Sequence, residues 1–70
     1  MIDLRIAIET ALGSVPFEAP VSAEYCKAVY AALRLLLPIA TIEVFHRAER
    51  ELIVEARQDG KYYALVVPLV

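Results

Sequence analysis

Seventy residues make one small domain, a size at which a single hydrophobic core is marginal without metal, disulfide or self-association. One His and one Cys cannot build a closed metal site, and a lone cysteine has no partner within the chain, which leaves association. The residues are 60% hydrophobic, well above the usual share, and the net charge of −2 argues against a protein built mainly to hold nucleic acid.

That apolar excess does not read as a membrane span. A spanning helix needs about 20 predominantly apolar residues, and Lys27 and Arg34 interrupt the best candidate. The start, MIDLRIAIE, carries Asp3 and Arg5 where a signal peptide would have a basic region and a long apolar run. A single cysteine of the reduced type fits the cytoplasm.

Along the chain, the first twelve residues carry two periods. Ile2, Leu4, Ile6 and Ile8 alternate as in a strand, whereas Leu4, Ile8, Ala11 and Leu12 follow helical spacing. Asp3 as N-cap and Gly13 just past the end favour a helix over about 3–12. The next stretch, GSVPFEAPV, has two prolines and reads as an ordered connection, with Phe17 folding back onto the core. It contains no phosphate loop, which would need several glycines and a lysine at fixed spacing, and no cofactor is expected.

The central element is SAEYCKAVYAALRLLL, a helix over about 22–37. Ser22 can cap its first turn, Glu24 places negative charge at the positive end, and Pro38 stops it. Glu24, Lys27, Ala31 and Arg34 form its one polar stripe. Tyr25, Val29, Ala32 and Leu36 form one apolar face, and Cys26, Tyr30, Leu33 and Leu37 the next. A surface helix needs only one such face, so this helix should sit centrally or meet a partner.

After Pro38 the β-branched residues Ile39, Thr41, Ile42 and Val44 predict a strand over about 39–46. Arg47 to Arg50 reads as a charged connection, and 51–57 as a second strand with Leu52, Val54 and Ala56 on one face. Asp59-Gly60 fits a two-residue type I′ turn, in which both residues take positive φ. It pairs Ala56 with Tyr63, Val54 with Leu65 and Leu52 with Val67, and makes a third strand over about 62–69. The predicted class is α+β: two helices packed on one face of a three-stranded antiparallel meander.

The same register sets Ile53 beside Val66, Glu55 beside Ala64 and Arg57 beside Tyr62 on the opposite face. The first strand adds to it either Phe45 or the pair Ile42 and Val44. A sheet covered on one side should be polar on the other; here the centre is apolar and the ends are charged, the layout of an interface. Ile53, Val66, Tyr62, Ala64 and Phe45 are therefore the candidate contact residues, with Tyr30 added from the central helix because tyrosine combines a large apolar ring with a polar tip. The partner would be a second copy of the chain or another protein.

Residues that could carry chemistry are few. His46 could serve as a general base, or sit as a surface residue at a strand end. Cys26 lies in the first turn of the central helix, where the dipole can lower a thiol pKa, but a free cysteine usually packs as a small hydrophobe. Glu43 and Glu55 could act as paired carboxylates with His46 at a subunit boundary, or be solvated strand residues offset by Arg57 or Lys61. If Thr41 to Glu51 were helical, the order helix, helix, helix, hairpin would resemble a winged-helix DNA-binding domain. That resemblance implies Arg47 and Arg50 on a recognition helix and Lys61 on the wing. With so little arranged for catalysis, the residues point to a non-enzymatic contact module.

Overall fold

The computed structural model describes residues 3–16, 22–48 and 51–68. Two helices, α1 (Leu4–Ser14) and α2 (Ala23–Leu36), precede three strands, β1 (Thr41–Ala48), β2 (Glu51–Gln58) and β3 (Lys61–Pro68). The strands form one antiparallel sheet in the order β1-β2-β3, and both helices lie against the same face of it. Phe17, Glu49, Arg50 and the residues after Pro68 lie outside the described residues.

Each helix starts where a side chain can satisfy a free backbone donor. Asp3 Oδ1 accepts from the Ile6 N–H at 3.2 Å, and Ser22 Oγ accepts from the Tyr25 N–H at 3.1 Å. Caps of this kind contribute about 1 kcal/mol each. In α1 the helical period wins over the alternating one: Leu4, Ile8 and Ala11 are buried and Ile6 is exposed. The predicted stop at Gly13 is not used. The helix continues through Gly13 to Ser14, whose hydroxyl donates to the Ala11 carbonyl at 2.9 Å.

In α2 the buried line is Tyr25, Val29 and Leu33, extended by Leu37, so it draws residues from both of the apolar faces seen in the sequence. Cys26 and Ala32 flank that line and pack against the core, while Tyr30 and Leu36 stay partly exposed. One line of burial suffices because α2 has α1 on one side and β1 beneath it.

The connection from α2 to β1 is held by Arg34. Its Nη1 reaches the carbonyls of Leu37, Pro38 and Ala40 at 3.3, 3.2 and 2.7 Å, and its Nη2 donates to the Tyr30 hydroxyl at 2.9 Å. The guanidinium also stands over the Tyr30 ring, 5.3 Å from its centroid. A cation on the last carbonyls of a helix is favoured twice, by the hydrogen bonds and by the helix dipole. This bracket shapes 38–40 as a turn, so β1 begins at Thr41 rather than Ile39, which points into solvent.

Asp59 and Gly60 take φ of 53° and 77°, as the type I′ turn requires. The predicted pairs Ala56–Tyr63, Val54–Leu65 and Leu52–Val67 all form. Across the other ladder Ile42 lies opposite Ala56 and Val44 opposite Val54, which puts both on the helix side. The core is thus Leu4, Ile8 and Ala11 against Tyr25, Val29, Leu33 and Leu37, resting on Ile42, Leu52, Val54 and Ala56.

Candidate interaction surface on the outer face of the sheet

Strand residues alternate between faces, so the two registers fix what the uncovered side presents. Phe45, Ile53 and Val66 lie in one row across the three strands. This decides between the two alternatives left open for β1: Phe45 joins the outer face, and Ile42 and Val44 do not. On one side of that row Glu43, Glu55 and Ala64 form the next, followed by Thr41, Arg57 and Tyr62. On the other side the ladder is irregular between His46 and Ala48, and Arg47 in that irregular segment forms an ion pair with Glu51 of β2.

The apolar row is uneven in exposure. Phe45 is 41% and Val66 46% exposed, but Ile53 between them is only 9% exposed although no helix covers it. Its cross-strand neighbours shield it, as expected for side chains about 5 Å apart on adjacent strands. Ile53, a candidate contact residue, is therefore largely covered, and the exposed apolar surface at the centre belongs to its two flanking side chains, the Phe45 ring and the branched Val66.

The charged end beyond it is organised as a shallow depression lined by Thr41, Glu43, Glu55, Arg57 and Tyr62. Arg57 stands over the Tyr62 ring, 5.5 Å from its centroid, which holds the ring on this face. Glu43 and Glu55 are direct cross-strand neighbours, two like charges side by side, an arrangement that costs a sheet stability. Neither forms an ion pair among the described residues.

His46 does not join them. It pairs with Leu52 on the helix-side face of β1, at the exposed end beyond helix cover, so Glu43, His46 and Glu55 are split between the two faces of the sheet. The three residues of the enzymatic alternative do not converge. Among the described residues no three His, Cys, Asp or Glu side chains gather in a way that could hold a metal ion. Cys26 is partly buried, and burial pushes its thiol up in pKa, opposite to the activation that its place in the first helical turn suggests.

Tyr30 is separated from the other contact candidates. It lies in the helix layer, on the far side of the sheet, and serves as the aromatic floor of the Arg34 bracket. Residues 41–48 are strand, so the third helix of the winged-helix order is absent among the described residues, and Arg47 is engaged by Glu51. A second exposed apolar group lies at the end of α2, the helix whose apolar excess suggests a partner: Leu35, at 85% exposure, with Leu36 and Ile39 beside it. Its signal was the run of leucines before Pro38, more than one buried line could use.

The chain is thus an α+β domain with helices on one face of a meander and an apolar row with charged flanks on the other. No known protein family matches it, and neither a curated protein nor a solved structure shows significant similarity to it. None of the described helices is long and apolar enough to cross a membrane.

Proposed function

We propose that the protein is a contact module that associates through the outer face of its sheet, a second copy of the chain being the partner, with no chemistry of its own. The observation that carries this reading is the row Phe45–Ile53–Val66, apolar and without helix cover, set between charged rows. An apolar centre inside a charged rim is how interfaces differ from ordinary surface. The size of the domain supports the same reading, since so short a chain buries only about 60% of what it exposes when unfolded. The single free cysteine fits a reducing compartment such as the cytoplasm.

The test is the molar mass in solution of three variants. Ile53→Lys and Val66→Lys place like charges across a dimer interface, and Val66 is already half exposed, so its replacement leaves the core untouched. Leu35→Lys is the counterpart on the rival surface at the end of α2. Dimers lost in the first two and kept in the third support the sheet face. Dimers lost only in Leu35→Lys move the interface to the helix end.

A further inference from the structure

The charges flanking the apolar row are not equivalent on its two sides, and this restricts how a second copy can sit. Glu43 and Glu55 lie two residues from the row in one strand direction, with no cation paired to either among the described residues; Arg47 and Glu51 flank it in the other. Two residues of strand span about 7 Å, so both pairs stand at nearly the same distance from the row. Arg47 remains well exposed, with a side chain 64% accessible despite its bond to Glu51, and a guanidinium has donors to spare for a second carboxylate.

Two sheets meeting face to face around a two-fold axis offer two principal arrangements. With the axis along the strands, Glu55 meets its own copy and Glu43 lies beside them, so four carboxylates share one row. With the axis across the strands, through Phe45, Ile53 and Val66, strand directions reverse. Glu43 then meets Arg47 of the partner subunit at both ends, and Glu55 meets a Glu51 whose charge is already offset by Arg47. Like charges set directly opposite destabilise and unlike ones set the register of an interface, so the second arrangement is favoured.

Building on the sheet-face association proposed above, we infer that the partner is a second copy of this chain docked with its β1 antiparallel to the first, with Glu43 of each subunit against Arg47 of the other. Two such contacts per dimer, each of the modest strength of an exposed pair, predict a salt-sensitive affinity.

The experiment is a charge exchange read by sedimentation equilibrium at low salt. Glu43→Arg and Arg47→Glu should each weaken the dimer by roughly three- to tenfold, and the double variant should return to within about threefold of wild type. Far-UV circular dichroism of each variant at a monomeric dilution verifies the fold. Glu43→Arg also relieves the repulsion from Glu55 within its own chain, so urea unfolding of each variant as a monomer separates recovery of the dimer from recovery of the fold. If Glu43→Arg instead tightens the dimer, the axis runs along the strands and the inference is overturned. If both single variants weaken it and the double variant weakens it further, Glu43 and Arg47 do not meet, and the inference again fails. A wild-type dimer that Val66→Lys breaks, with no recovery in the double variant, leaves the sheet-face interface standing and removes only this orientation. A monomeric wild type removes both.

Discussion

Replacing Arg34 by alanine removes the bracket between α2 and β1 without touching the core or the outer face of the sheet. Four contacts go with it: Nη1 to the carbonyls of Leu37, Pro38 and Ala40, and Nη2 to the Tyr30 hydroxyl. A hydrogen bond to a charged group contributes about 1.5–3 kcal/mol net. Three of these share one nitrogen, and the Tyr30 and Pro38 contacts are exposed, so the terms do not add. The short bond to Ala40 dominates, and the whole set is worth about 2 kcal/mol. For a domain of this length that is on the order of 10 °C in Tm. The assay is urea unfolding followed by far-UV circular dichroism, on the Val66→Lys background so that association does not contribute to the apparent stability. Arg34→Lys should recover less than half of the loss, because an ammonium cannot reach several carbonyls and a tyrosine hydroxyl in one geometry. A loss below about 0.5 kcal/mol for Arg34→Ala, the range of ordinary surface substitutions, would refute the bracket. So would full recovery by lysine, since that would reduce the role of Arg34 to its charge.

Gly13 lies inside α1 at negative φ, and a Cβ built there meets nothing within 4 Å. Gly13→Ala should therefore stabilise the protein by about 0.5–1 kcal/mol, measured in the same unfolding experiment; a destabilisation would mean that the helix end needs the freedom of glycine. Burial raises the Cys26 thiol pKa, so iodoacetamide should react with the native protein more slowly than with the urea-unfolded chain between pH 8 and 9. The same shift makes the native state hold its thiol proton longer than the unfolded chain does. Its contribution is complete below the ordinary thiol range and declines as pH rises through and above it. A native rate equal to the unfolded one at each pH would contradict the burial of this thiol.

How much of this was legible in the residues depended on how local the signal was. Asp59-Gly60 fixes its turn by backbone sterics alone, and every cross-strand pair on β2 and β3 follows from it. Asp3 and Ser22 mark helix starts for the same kind of reason, a side-chain oxygen next to free N–H groups. The start of β1 was less legible: Ile39 has high β propensity, but a long-range bracket from Arg34 holds 38–40 as a turn. The far end of β1 runs on to Ala48, which pairs with Glu51 past an irregularity that leaves Arg47 out of the ladder, its side chain held instead by an ion pair with Glu51. In α2 the sequence offered two apolar faces and could not say that the buried line runs between them, since that depends on where α1 lies.

The outer face was half legible. Its composition followed from the hairpin register, and the choice of Phe45 over Ile42 and Val44 needed the pairing of β1 with β2. The shielding of Ile53 was not readable, because it arises from the width of its two neighbours rather than from its own position in the pattern. The distribution of charge around the row is likewise a product of two registers together. Tyr30 lies on α2, as its sequence position requires; its contact with Arg34 four residues on follows from helical spacing, but that the guanidinium would choose this ring needed the course of 37–40.

The account rests on self-association, and the molar mass of the unmodified chain tests that most directly. Multi-angle light scattering on the wild-type protein at micromolar concentration and low salt should give twice the chain mass of 7.8 kDa, falling towards a single chain on dilution or in Val66→Lys. A mass of one chain for the wild type across that concentration range would contradict the account.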